Sequence, residues 1–78
     1  MERFFFDFKD AGLSFRDDEG AQFSSRVEGR NEALCTLAEL AKGRMCGGDV
    51  GPLAIDMRDE SGRVLFTAWL HLDTRWTH

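Results

Sequence analysis

Apolar residues recur at helical spacing in only one stretch of this chain. Ala33, Leu34, Leu37, Leu40 and Ala41 form one stripe at the 3.6-residue period, and Glu28, Asn31, Glu32, Glu39 and Lys42 fall outside it. Ser25, with Glu28 three residues on, has capping-box spacing and sets the helix start; the helix ends near Gly43 to Cys46, and Gly47-Gly48 stops it. Gly29 weakens the first turns, by about 1 kcal/mol against Ala. A lone helix has a single apolar stripe to bury and needs a sheet to bury it on.

The alternating stretches supply that sheet. Phe4, Phe6 and Phe8 point one way along Arg3 to Lys9, and Arg3, Phe5, Asp7 and Lys9 the other. Asp10-Ala11-Gly12 turns the chain into a short strand, Leu13 to Arg16, with Leu13 and Phe15 on one face. Asp17-Asp18-Glu19-Gly20 reads as a second turn, with Gly20 in the left-handed position of a type I hairpin turn with a bulge. Ala21 to Phe23 is a brief extended segment. After the helix, Gly47 to Pro52 is a loop, and Leu53, Ile55 and Met57 alternate with Ala54, Asp56 and Arg58 in a further strand. Asp59-Glu60-Ser61-Gly62 repeats the turn chemistry of 17–20. The last strand puts Val64, Phe66, Ala68, Leu70 and Leu72 on one face and Leu65, Thr67, Trp69, His71 and Asp73 on the other.

The order β-β-α-β-β predicts an α+β fold in two layers, an antiparallel sheet of about four strands with one helix on one face. Phe4, Phe6, Phe8, Leu53, Ile55, Met57, Phe66 and Leu70 form the core face. One domain spans 1–78, with an ordered core over about 3–73 and a tail over 74–78.

Size and charge narrow the function. The 78 residues carry 10 Lys+Arg against 14 Asp+Glu, a net charge of −4. Backbone phosphate binding needs clustered cations, but here acids sit close by at Arg16-Asp17, Arg26 to Glu28 and Arg58-Asp59, so nucleic acid is disfavoured. No apolar run approaches the ~18 residues of a membrane span. The opening Met1 to Asp7 lacks the basic and apolar regions of a signal peptide. The expectation is a bacterial, cytoplasmic protein with Cys35 and Cys46 as free thiols. A domain of this size buries only ~60–65% of its unfolded surface, so a second copy is a natural source of stability.

No chemistry is nominated. Cys35 and Cys46 lie eleven apart, and His71 and His78 seven apart, unlike the close ligand pairs of zinc sites. Cys35 with His71 lacks an orienting group and an oxyanion site. Asp17, Asp18, Glu19, Asp56, Asp59 and Glu60 lack calcium-loop spacing and fit turn chemistry. Gly43 to Gly51 has no Lys-Ser/Thr after it, so no phosphate loop is indicated. The reading is a non-enzyme with no catalytic, cofactor-binding or metal residue.

What remains is a surplus of apolar groups on the face away from the helix. Phe5, Leu65, Trp69 and His71 are the candidate interface there, on a face that alternation would normally make polar. A homodimer or a protein partner would use this face. The alternative is a ligand- or nucleic-acid-binding regulatory module on the same aromatic face, and the tail 74–78 is a third candidate to cover it.

Three segments carry a resemblance: Arg3-Phe4-Phe5-Phe6-Asp7; Asp17-Asp18-Glu19-Gly20 leading into a helix with Glu32-Ala33-Leu34 and Ala38-Glu39-Leu40; and the hairpin from Ile55 through Gly62 to Leu65. Over residues 3 to 70 the chain resembles a family of short proteins of unknown function found mainly in rhizobia-like alphaproteobacteria. That family usually has Pro-Asp where this chain has Ser24-Ser25, and an apolar residue at Arg26. The resemblance implies one domain that stands alone and no known activity.

Overall fold

A computed structural model describes residues 1–48 and 51–78. It contains β1 (Glu2–Asp10), β2 (Leu13–Phe15), β3 (Ala21–Phe23), α1 (Arg26–Cys46), β4 (Leu53–Arg58) and β5 (Val64–Leu70). The strands form one antiparallel sheet in the order β2-β1-β4-β5, with β3 also on β1. This is the α+β architecture that the patterning predicts, with the brief extended segment as a fifth strand. The expected loop 47–52 falls partly on Asp49 and Val50, outside the described residues. No described helix is long and apolar enough to cross a membrane.

β1 organises the sheet. Its Phe5–Asp10 stretch pairs with β4, from Phe5↔Arg58 to Asp10↔Leu53. Its other edge takes β2 at one end, with Phe8↔Phe15, and β3 at the other, with Phe4↔Ala21. Ala11 (φ 49) and Gly12 (φ 88) make the tight β1–β2 turn, both in the left-handed region that a type I′ turn requires.

Residues 17–20 do not form the expected hairpin turn. β2 and β3 lie along the same strand, so the chain makes a detour and returns to the edge it left. The reason is a competing set of hydrogen bonds. Phe6 has no strand partner on that edge, and its N–H donates to Asp17 Oδ2 (3.0 Å). The Asp17 N–H in turn donates to Asp7 Oδ1 (2.8 Å), and Asp17 Oδ1 accepts from the N–H groups of Glu19 and Gly20. Gly20 sits at φ +68, where a Cβ would lie 2.8 Å from the Phe4 carbonyl oxygen, so no other residue fits without a shift.

The helix begins as its cap predicts. Ser25 Oγ accepts from the Glu28 N–H (3.3 Å), and Glu28 Oε2 reaches back to the Ser24 N–H (3.2 Å). At the far end Arg44 pairs with Asp10, joining the last helical turn to the end of β1.

The stripe that faces the sheet is narrower than expected. Gly29, Ala33, Leu37 and Ala41 are buried, one row at four-residue spacing. Leu34 and Leu40 flank it and stay 44% and 41% exposed. Three of the four buried residues are small, so the helix backbone comes close to the sheet and the larger leucines are left at its sides. Phe4, Ile55 and Met57 are the largest fully buried side chains. Phe6, Phe8, Phe66 and Ala68 pack against the buried cluster of Ala33, Leu37, Ala41, Leu53 and Ile55, whereas Leu70, placed on the core face by alternation, is 38% exposed.

Gly29 is therefore a packing requirement. A Cβ there would lie 2.8 Å from the Phe4 ring and 3.0 Å from Met57 Sδ. Helix propensity alone favours Gly29→Ala by about 1 kcal/mol, but overpacking of this kind costs about 1–3 kcal/mol. Gly29→Ala should lower the melting temperature; a rise would show that the helix has room to move off the sheet.

Candidate contact surface

The face away from the helix is built from alternate residues of three strands. β1 contributes Arg3, Phe5, Asp7 and Lys9, β4 contributes Ala54, Asp56 and Arg58, and β5 contributes Thr67 and Trp69. Register sets the neighbours: Phe5 opposite Arg58, Asp7 opposite Asp56, and Ala54 opposite Trp69.

Arg58 is the buried charge of this face, 7% exposed. Its Nε donates to Asp7 Oδ2 (2.6 Å), and its Nη2 donates to Asp7 Oδ1 (3.3 Å) and to the Asp17 carbonyl (2.7 Å). The guanidinium lies 4.7 Å from the centre of the Phe5 ring, within cation–π range. A second pair stands beside it: Lys9 Nζ is 3.2 Å from Asp56 Oδ2, and Thr67 Oγ1 donates to Asp56 Oδ1 (2.6 Å).

Burial works against ionisation of Asp7 and would raise its pKa. The Arg58 hydrogen bond, the Asp17 N–H and the cationic charge outweigh it and hold the carboxyl below its ordinary value. Burial opposes Asp17 in the same way, and the N–H groups of Gly20, Phe6 and Glu19 overcome it. The hydrogen bond to Asp7 keeps Arg58 charged against its own burial.

The expected apolar patch is divided by these charges. Phe5 is half-buried under Arg58. Leu65 is not on this face: Met57 pairs with Phe66 but Arg58 pairs with Val64, so β5 carries one extra residue at a bulge. Leu65 is displaced to the helix side, in a recess with Val27, Met57 and Phe66. His71 lies beyond β5, exposed, with Nε2 3.0 Å from Asp73 Oδ1. Trp69 alone stands out, 77% exposed. Phe5 and Trp69 sit opposite β4 residues four positions apart, roughly 13 Å at the strand rise. The tail does not cover Trp69, and Trp76 is itself 94% exposed.

The structure also has a recess that sequence patterning misses. A cavity of about 330 Å³ lies between α1 and β2, lined by Phe8, Phe15, Leu40 and Leu53 together with the charged Asp10 and Arg44. A helix ~10 Å across covers about two strands spaced ~4.8 Å apart, so the outer strand is left uncovered. The apolar pair Phe15 and Leu40, on a short strand and at the flank of the stripe, was the available signal. Among the described residues no group of three His, Cys, Asp or Glu is placed to hold a metal, and Cys35 and Cys46 are exposed free thiols.

Fold and surface together define a small two-layer α+β domain with one covered and one open sheet face. Residues 3–70 match the family described as a domain of unknown function (DUF6894), and the chain belongs to that family. No curated protein and no solved structure matches the chain.

The two depressed carboxyls make stability depend on acid. A group with a lowered folded pKa stabilises fully above its unfolded value, about 3.9 for Asp, and the contribution is lost as pH falls through the folded value. Asp17→Asn keeps an acceptor for Phe6 but removes the titration. Urea midpoints between pH 6 and pH 2 should fall less steeply for Asp17→Asn than for the wild type; superimposable acid limbs would contradict the assignment.

Proposed function

We propose that this chain is a small non-enzymatic contact module of the bacterial cytoplasm that self-associates or binds a protein partner through the open sheet face at Trp69. The observation that carries the reading is Trp69 itself: a large ring, 77% exposed, on a regular strand opposite the small Ala54. Tryptophan is one of the residues enriched among interface hot spots. The charges around it are already paired, Lys9 with Asp56 and Arg58 with Asp7, so a partner covering the face need not supply their counter-charges. The same pairing argues against nucleic acid, whose phosphates need cations to spare. Free thiols and the lack of a membrane-spanning helix among the described residues support a cytoplasmic setting, and the family resemblance supports a bacterial one.

A second reading, a ligand-binding regulatory module, draws on the 330 Å³ apolar recess between α1 and β2, which falls within the size range of small-molecule sites. It competes with the first on a single experiment. Sedimentation velocity at high micromolar concentration should show a dimer, and Trp69→Ser should shift it to monomer with an unchanged melting temperature. A monomeric wild type that takes up a small apolar probe in the recess would favour the second reading.

A further inference from the structure

α1 packs chiefly on β4, in a sheet of order β2-β1-β4-β5. A helix ~10 Å across spans about two strands at ~4.8 Å spacing, so the helix layer is incomplete on both sides of α1. The slot over β2 is the recess already described, and its two charges, Asp10 and Arg44, pair with each other. The slot over β5 is different. It holds a shallower cavity of about 170 Å³, lined by Arg26, Val27, Arg30, Met57, Leu65 and Phe66 and by no acid.

Much of the apolar lining is open to solvent. Val27 is 57% exposed and Leu34 44% exposed. Leu34 continues the flank of α1 that Val27 and Arg30 begin, at i, i+3 and i+7. Leu65 and Phe66, half-buried on β5, form the floor with the buried Met57. The cations are placed against local preference. Arg26 and Arg30 are four residues apart on one helix, where like charges repel, and a cation in the first turn opposes the helix dipole. Among the described residues neither has a carboxylate within ion-pair distance, and Arg30 Nη2 donates to the neutral Asn31 Oδ1 (3.2 Å).

We propose that the slot between α1 and β5 receives an acidic amphipathic helix of a partner protein, its apolar stripe on Val27, Leu34, Leu65 and Phe66 and its carboxylates on Arg26 and Arg30. Shape selects a helix. The slot runs beside α1, and a second helix there, ~8–10 Å from the axis of α1, completes the layer over the sheet. Acids four apart on that helix match arginines four apart on α1, each pair spaced by ~6 Å of helical rise. Size argues against a lipid. At ~30 Å³ per water in the liquid, 170 Å³ holds roughly six heavy atoms, one leucine or phenylalanine side chain rather than an acyl chain. Two cations are too few to hold a nucleic-acid backbone. The α1 helix of a second copy is not the guest, because its own apolar stripe is already buried on its own sheet. This slot lies on the opposite side of the sheet from Trp69, so the inference goes beyond the open-face reading and does not depend on it.

The test is a titration of the full chain, followed through its backbone amide NMR signals. The probe is a synthetic helical peptide with leucines at i, i+3 and i+7 and glutamates four apart beside them; a second peptide has glutamine in place of each glutamate. The acidic peptide should shift the signals of 26–34 and 64–66 and leave those of Phe15 and Ala54 unmoved. It should bind roughly two- to thirty-fold more tightly than the glutamine peptide, the range for two exposed charge pairs, and added salt should shrink that advantage. Arg26→Gln/Arg30→Gln should abolish the advantage with a melting temperature equal to or above that of the wild type. No shift at millimolar acidic peptide, shifts centred elsewhere, or equal binding of the two peptides would overturn the proposal. Uptake of laurate at the same residues without uptake of the peptide would also overturn it and assign the slot to a lipid. Each of these outcomes leaves the open-face reading to its own test by sedimentation.

Discussion

Arg58 holds together parts of the chain that lie far apart in sequence. Its guanidinium joins β4 to the Asp7 carboxylate of β1 and to the carbonyl of Asp17 in the detour, and it covers the Phe5 ring. Asp17 then satisfies the Phe6 N–H that the interrupted edge would leave without a partner. Each group depends on the others. Without Arg58, Asp7 would be a largely buried carboxylate without its ion-pair partner, a loss of roughly 3–5 kcal/mol in comparable pairs. Without Asp17, the sheet would have a hole in its central strand. Arg3 adds a further tie from Nη1 to the Glu19 carbonyl (2.9 Å), which keeps the detour against the sheet and β3 in register.

That knot shapes what each surface can do. It occupies the middle of the open face with paired charge, so the apolar contact area there contracts to Trp69. It also blunts one edge of the sheet, because a chain looping out through charged residues offers no template for another strand. The opposite edge has no such device. On the helix side the small residues at Gly29, Ala33 and Ala41 seat α1 low on β4, and its narrow footprint leaves β2 free to wall the apolar recess.

Much of this fold is written in local patterns. The alternation of Phe4, Phe6 and Phe8 places β1 on the core, the Ser25–Glu28 spacing marks the helix start, and the helix end and β4 follow from glycines and alternation. Local patterns fail where a distant residue intervenes. Asp17 to Gly20 has the composition of a reverse turn, yet its carboxylate bonds to Phe6, eleven residues back, and the chain runs on instead of reversing. The bulge between Met57 and Arg58 is invisible to period-2 counting, and it moves Leu65 to the helix side while Val64 takes the place opposite Arg58. Leu34 and Leu40 belong to the apolar arc of the helix, but small residues decide which line of that arc meets the sheet. For the surface, Trp69 was legible because its strand is regular around it. Phe5 was not, because its exposure is set by an arginine fifty-three positions later in the chain.

The dependence of the fold on Arg58 can be measured by a double-mutant cycle with Asp7. Stabilities of the wild type, Asp7→Asn, Arg58→Met and the double variant would be taken from urea unfolding at neutral pH. Each single change should be strongly destabilising, and the double variant should lose less than their sum, with a coupling of about 1–3 kcal/mol. Single losses that add to within about 0.5 kcal/mol would show that the two residues act independently, and would contradict a sheet knotted at Arg58.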